Sequence, residues 1–133
     1  LAPVCAPGLV DKARDSLQAC ELIHPSPDRR DWRRWLKACS PEAMPDISKG
    51  KVFDTLDQGN QAAVGGHGVS VGDVTLSLPA LENGLLVMPF SRAINTGDGY
   101  YLVWPENSPK QQGIATLCAF LLAQVPDISA YVK

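Results

Sequence analysis

The chain alternates short apolar runs with stretches in which apolar residues recur every three or four positions. The short runs predict β-strands over residues 1–6, 21–24, 51–54, 68–71, 85–88 and 100–104. The longer spacing predicts helices over residues 11–20, 29–39, 56–64, 76–82 and 109–124. Strands that alternate with helices are typical of an α/β fold, in which helices cover the faces of a sheet.

Two of the predicted helices have a continuous apolar face. In the second helix, which Asp28 can cap, that face consists of Trp32, Trp35, Leu36 and Cys39. In the last helix, which begins after Ser108-Pro109, it consists of Ile114, Leu117, Cys118, Leu121 and Val125. We expect the tryptophan face to be part of the core.

The helix over 56–64 begins directly after a strand. Thr55 and Gln58 have the spacing of a capping box, and a pair of glycines ends the helix. In an open α/β sheet, ligands bind beyond the carboxyl ends of the strands, where free amides of a helix start are available. Thr55 is therefore either a plain helix cap or a polar recognition point for a ligand.

Composition agrees with a folded domain of ordinary type. The 133 residues are 45% hydrophobic and carry a net charge of −2, which disfavours nucleic-acid binding as the main task of this chain. No apolar run is long enough to cross a membrane, so we expect no membrane partner. The chain starts at Leu1 without a methionine or a secretion signal, and we expect it to be part of a longer protein.

The four cysteines form no metal-binding or disulfide pattern. They lie at positions 5, 20, 39 and 118, without a C-x-x-C pair, and the two histidines are not at zinc-ligand spacing. The glycine run at 65–68 follows a helix and lacks the lysine of a phosphate loop. We therefore expect free thiols in a reducing cytoplasm, no metal and no cofactor.

Two segments resemble motifs of other protein classes, the serine hydrolases and the nucleic-acid-binding proteins. Residues 68–72 match G-x-S-x-G, the nucleophile elbow of serine hydrolases, but Ser70 falls inside a predicted strand and both histidines precede it. The basic residues of 29–37 resemble a nucleic-acid-binding patch. However, the two tryptophans lie on the apolar face of the helix, and most of the basic side chains lie on the opposite face. We expect a structural serine and a solvated helix face, so the chain is not expected to be an enzyme.

The order of segments along nearly the whole chain resembles one known family. The matching segments are 3–7 (PVCAP), 22–24 (LIH), 31–35 (DWRRW), 53–55 (FDT), 62–69 (AAVGGHGV), 81–90 (LENGLLVMPF) and 100–105 (YYLVWP). Together they resemble the effector-binding domain of LysR-type transcriptional regulators, in the branch of the glycine-cleavage activator and the β-lactamase regulator.

The resemblance implies a fold similar to a type 2 periplasmic binding protein. Its second lobe, a mixed and mostly parallel sheet with helices on both faces, would span residues 1–90. A return hinge would span 91–101, and a C-terminal strand and helix of the first lobe would span 102–133. The hinge residues would be Val4, Cys5 and Ala6 on the first crossing and Ser91 on the return.

The resemblance also implies a site and partners. Thr55, flanked by Asp54 and Leu56, would contact a small-molecule effector in the interlobe cleft, and Tyr100 would face the same cleft. The effector would shift a homodimer or tetramer that acts on DNA through an N-terminal winged helix-turn-helix lying outside this chain. A solute-binding protein of the same fold is the main alternative, and a serine hydrolase using Ser70 is a remote one.

Overall fold

The computed structural model describes residues 1–39 and 44–132. Two compact units are present, one formed by Leu1–Thr96 with Ile128–Lys133 and the other by Gly97–Asp127. The strands are β1 (Ala2–Val4), β2 (Leu22–His24), β3 (Lys51–Val52) and β4 (Val69–Gly72). The α-helices are α1 (Val10–Asp15), α2 (Arg30–Cys39), α3 (Leu56–Val64), α4 (Val74–Glu82) and, in the second unit, α5 (Gln111–Ala123). Short 3₁₀ turns at Pro7–Leu9 and Leu17–Ala19 flank α1.

The first unit is built on a four-stranded mixed sheet in the order β1-β4-β2-β3. Strand β2 pairs in parallel with both β3 and β4, and β1 runs antiparallel to β4. The three parallel strands therefore end at one common edge, which we call the carboxyl edge. The α/β class predicted from the alternating pattern is confirmed.

The sheet buries apolar side chains on both faces. One face packs Val69 and Val71 of β4 against α1 and α2, and the other packs Val4 and Ile23 against Ala63 of α3 and Leu86. These positions alternate along the strands because successive side chains of a strand point to opposite faces. Helices therefore cover both sides of the sheet, as the sequence predicts.

Helix α2 is anchored by its two tryptophans. Trp32 is fully buried and its indole Nε1–H donates to the Ile23 carbonyl oxygen at 2.9 Å. Its ring meets Trp35 edge-on, with ring centroids 6.1 Å apart. Leu36 is also buried, whereas Arg33 and Lys37 are exposed. The apolar face predicted for this helix is confirmed as core, with the basic residues largely outside it.

Two predicted strands are absent from the described residues. In 85–88 only Val87 joins the sheet, through a single antiparallel bridge to Cys5. Residues 100–104 pair with no strand of the described chain. A β-propensity run becomes a strand only where a neighbouring strand accepts its ladder hydrogen bonds, and in residues 85–88 such hydrogen bonds form only at Val87.

Helix α1 ends at Asp15, earlier than the predicted residue 20, and two other helices begin at residues other than those predicted. Helix α4 begins at Val74 and not at 76, because the Asp73 carboxylate accepts from Leu76 N–H at 3.2 Å. Helix α5 begins at Gln111 and not at 109, and Ser108 Oγ instead accepts from Lys110 N–H at 3.2 Å. The start and end of α3 agree with the prediction residue for residue.

In the second unit, part of the predicted apolar stripe is exposed, whereas Ile114 and Cys118 are half-buried. Leu117 is 55% exposed and Val125 67% exposed, and the preceding segment exposes Tyr101 and Val103 still more. No helix in the described residues is both long and apolar enough to span a membrane.

All four cysteines are free thiols. Cys5 is fully buried, and that burial raises its thiol pKa to about 11. Cys20, Cys39 and Cys118 are half-buried. Among residues 1–39 and 44–132, no cluster of three or more His, Cys, Asp or Glu side chains could hold a metal ion.

Candidate functional site

The candidate site lies where β3 ends and α3 begins. Strand β3 is an edge strand that pairs with β2, and the Phe53 N–H donates to the His24 carbonyl oxygen at 2.8 Å, which extends the pairing by one residue. Thr55 then adopts an extended backbone, and its hydroxyl oxygen accepts from the Gln58 N–H at 3.2 Å. The chain thus turns from strand to helix at the carboxyl edge.

The predicted capping box is present, with one difference. The Gln58 side-chain oxygen accepts from the N–H of Asp54 at 3.2 Å, one residue before the cap and not at the cap itself. This hydrogen bond fixes Asp54 against the first turn of α3. Because the Thr55 oxygen acts as an acceptor for the helix, its own O–H is left to donate outward.

This junction offers both hydrogen-bond donors and negative charge. The first amides of a helix have no acceptor within the helix, and the helix dipole adds partial positive charge there. Asp54 and Thr55 are exposed and Leu56 is half-buried. The site therefore presents amide and hydroxyl donors beside the carboxylates of Asp54 and Asp57, a combination that suits a small molecule with both an acceptor group and a positively charged group.

A second capped helix start lies at the same edge. Asp73 follows β4 and caps α4, while Thr55 follows β3. Strand β2 lies between these two strands, so the two caps are about two strand spacings, or about 10 Å, apart along the edge. The carboxyl edge of this unit is thus lined by polar helix starts.

A buried polar contact ties α3 to α4 beneath this edge. Asn60 Nδ2 donates to Ser77 Oγ at 2.9 Å, and both residues are buried. Gly72 makes room for the pair, because a Cβ at this position would lie 2.7 Å from Ser77 Oγ and 3.0 Å from Asn60 Oδ1. The contact fixes the spacing of the two helices that begin at the candidate site.

His24 ends β2 at the same edge and is fully buried. Its Nε2 lies 2.7 Å from the Lys49 carbonyl oxygen, and since a carbonyl only accepts, Nε2 carries the proton. Burial lowers the pKa of His24, and this outweighs the opposing effect of that hydrogen bond. The imidazole is therefore held neutral as part of the structure behind the site.

The structure brings three of the four predicted effector contacts together. Asp54, Thr55 and Leu56 are contiguous at the junction, whereas Tyr100 belongs to the second unit and is 67% exposed. The first unit contains every predicted hinge residue. Of these, Val4 and Cys5 are buried beside β4 and Val87, Ala6 precedes the first 3₁₀ turn, and Ser91 is exposed.

The G-x-S-x-G match does not form a nucleophile elbow. Ser70 lies inside β4 and is fully buried, and a strand, not a sharp turn, carries it. His67 is exposed at the preceding glycine turn. A serine hydrolase needs an exposed nucleophile beside its base, so this geometry argues against that chemistry at Ser70.

Asp73 and the Asn60–Ser77 contact were not predicted from the sequence. Asp73 carried a recognisable signal, because an aspartate directly after a strand and before an apolar helical run is a preferred N-cap. The Asn60–Ser77 contact had none. It joins residues 17 positions apart on two different helices, and only the packing of α3 against α4 reveals it.

The first unit thus has a mixed sheet with helices on both faces and polar helix starts along its carboxyl edge, which is the edge at which open α/β sheets bind ligands. Comparisons with known proteins show that the chain is similar to LysR-type transcriptional regulators and that it shares the periplasmic-binding-protein-like fold of their effector-binding domains. No family model matches the chain.

Curated relatives are regulators of this family. The transcriptional activator AmpR of Rhodobacter capsulatus is 28% identical over 134 residues, covering 93% of this chain and 42% of the relative. The glycine cleavage system transcriptional activator of Escherichia coli K12 is 27% identical over 129 residues, with the same coverage of 93% and 42%. The chain spans about two fifths of the length of these relatives.

Solved structures show the same fold. The effector domain of AmpR from Pseudomonas aeruginosa has a TM-score of 0.75 at 21% identity, covering 93% of this chain and 60% of that domain. The AmpR effector-binding domain of Citrobacter freundii has a TM-score of 0.68 at 20% identity, covering 92% and 63%. The likeness to these two structures shows the fold that the chain shares with them.

Proposed function

We propose that this chain is the ligand-sensing part of a bacterial LysR-type transcriptional regulator. It binds a small-molecule effector and thereby shifts the conformation of an oligomer that controls transcription. The observation that carries the proposal is the exposed polar junction at Thr55, at the carboxyl edge of a sheet whose fold is that of AmpR effector domains. An effector can shift an equilibrium only by binding one arrangement better than another.

The chemistry of the junction suggests how the effector is held. The first amides of α3 and the Thr55 hydroxyl donate to a carboxylate or carbonyl of the effector. The Asp54 carboxylate favours a positively charged or hydrogen-bond-donating group beside it. Leu56, half-buried, supplies apolar contact. A small zwitterion or polar amide fits this set better than a simple anion.

The proposed organisation follows the sequence boundaries. Residues 1–90 form the second lobe, 91–101 the return hinge and 102–133 the C-terminal part of the first lobe. Tyr100, on the return segment, is the further residue that the family resemblance assigns to effector binding. Val4, Cys5, Ala6 and Ser91 lie on the two crossings and accommodate the relative motion of the lobes.

The proposed partners follow from the family. The protein acts in the cytoplasm as a homodimer or tetramer, and DNA is contacted through a winged helix-turn-helix that lies outside these 133 residues. The names of two relatives, a glycine cleavage system activator and AmpR, support a regulator of transcription.

A thermal-shift screen of small polar metabolites against the complete regulator tests this function. A true effector raises the melting temperature of the wild-type protein through preferential binding to the folded state. In Thr55→Val, which keeps the side-chain shape but removes the hydroxyl, affinity measured by calorimetry should fall about tenfold. Thr55→Ser restores the hydroxyl and should recover most of the affinity.

Thr116→Val is the matched control, because it removes a hydroxyl that only donates to the Gln112 carbonyl within exposed α5. It should bind the effector as the wild type does. If Thr55→Val and Thr116→Val bind the effector equally well, the site assignment is wrong. A secretion signal preceding the chain in its gene would instead favour the solute-binding alternative, which the shared fold also allows.

A further inference from the structure

The first unit has a cavity that is separate from the Thr55 junction. Its volume is about 590 Å³, within the usual range for small-molecule sites. Its walls come from the end of α1 and the turn after it, from the C-terminal half of α2, and from residues 89–92. Helix α2 starts near the carboxyl edge and extends about 15 Å, so its last residues lie away from that edge.

Specific contacts hold the three walls together. Arg14 Nε donates to the Pro89 carbonyl oxygen at 2.8 Å, which joins α1 to the 89–92 segment. Trp35 Nε1 donates to the Arg92 carbonyl oxygen at 2.9 Å, and its ring lies 5.4 Å from that of Phe90. These contacts join α2 to the same segment. The cavity is therefore formed before any ligand binds, which reduces the entropy cost of binding.

The lining combines an apolar body with an excess of positive charge. Leu17, Trp35 and Phe90 supply apolar and aromatic surface, while Arg14 and Arg92 supply two guanidinium groups. One carboxylate, Asp15, opposes them. Among the described contacts, Arg14 uses only Nε, which leaves its Nη groups for a carboxylate of a ligand.

We propose that this cavity is a second ligand site, for small organic anions that pair a carboxylate with an apolar or aromatic body. The carboxylate meets Arg14 and Arg92, and the apolar body packs on Trp35 and Phe90. Residues 89–92 lie in a segment that runs antiparallel to the start of the chain, because Val87 pairs with Cys5 and Ile94 with Leu1. The same segment continues to Gly97, where the second unit begins. A bound anion would hold this connecting segment against α2.

Titration of the ¹⁵N-labelled 133-residue chain with 4-phenylbutyrate and with its neutral amide tests the proposal. The carboxylate should shift the amide resonances of residues 13–18, 35–39 and 89–92, and the neutral amide should bind at least about fivefold more weakly. Arg92→Gln, which changes an exposed side chain but keeps the backbone carbonyl bonded to Trp35, should weaken carboxylate binding by a similar factor.

Two further measurements make the outcome decisive. Lys12→Gln removes an exposed positive charge from α1 outside the cavity and should bind the carboxylate as the wild type does. Cys39 lines the cavity, so bound carboxylate should slow its alkylation by iodoacetamide, followed by peptide mass spectrometry. The proposal is overturned by the absence of resonance shifts at about 5 mM ligand, by equal losses in Arg92→Gln and Lys12→Gln, or by shifts confined to residues 54–58.

Discussion

Removal of Trp32 is the sharpest test of how the first unit is held together. Its side chain is fully buried between α2 and the sheet, and it contributes to the same core cluster as Val69 and Val71. Its indole N–H also satisfies the Ile23 carbonyl of the central strand β2. A single substitution therefore removes both a large, fully buried side chain and a hydrogen bond inside the core.

The expected cost follows from these two contributions. Trp32→Ala removes the ring and leaves a cavity, which costs about 3–5 kcal/mol of unfolding free energy. Trp32→Phe keeps most of the apolar volume but removes the N–H donor, and should cost about 1–3 kcal/mol. Domains of this size have about 5–15 kcal/mol in total, so the alanine variant is expected to be severely destabilised or unfolded.

Urea denaturation followed by far-ultraviolet circular dichroism measures both changes. The phenylalanine variant keeps the test informative if the alanine variant does not fold. Trp104→Ala is the control, because Trp104 is 47% exposed and lies in the second unit. A loss below about 1 kcal/mol for Trp32→Ala, or an equal loss for Trp104→Ala, would refute the assignment of Trp32 to the core.

Two other predictions concern packing and protonation in the same unit. Gly72→Ala would place a Cβ 2.7 Å from Ser77 Oγ and should lower the free energy of unfolding by about 1–3 kcal/mol in the same urea assay. The control is Gly113→Ala in α5, whose added Cβ would lie within 4 Å of no atom outside its neighbours and its own helix backbone. This control should be neutral or stabilising by up to about 1 kcal/mol. Burial lowers the pKa of His24 in the folded chain below its ordinary value of 6.5. As the pH falls through 6.5, the unfolded chain therefore binds more protons than the folded chain does, and the free energy of unfolding decreases. The melting temperature should therefore fall as the pH is lowered from about 7.5 to about 5.5. His24→Gln should reduce this dependence on pH, whereas the control His67→Gln should leave it unchanged. If the melting temperature of His24→Gln depends on pH as that of the wild type does, the mechanism is excluded.

The sequence predicts the features that depend on local patterns. The apolar face around Trp32 and Trp35 follows from helical periodicity, and the start of α3 follows from the capping preference of Thr55. The α/β class follows from the alternation of strands and helices. These features need only neighbouring residues, and each is confirmed in the structure.

Features that depend on distant partners could not be predicted in the same way. Whether residues 85–88 and 100–104 form strands depends on a neighbouring strand that their own sequence does not specify. The Asn60–Ser77 contact and the cavity beside Trp35 arise from the packing of separate elements. The junction at Thr55 was predicted from its local pattern, but its role in effector binding rests on the family resemblance and stays a prediction.

The central claim is that this chain senses a ligand for a transcriptional regulator. The most direct test expresses the complete reading frame that contains it and measures binding to the DNA flanking its gene by fluorescence anisotropy, with and without the metabolite found in the thermal-shift screen. We predict specific DNA binding that the metabolite changes, and a Thr55→Val protein that binds the same DNA but no longer responds. A protein without specific DNA binding, or a full response in Thr55→Val, would contradict the account.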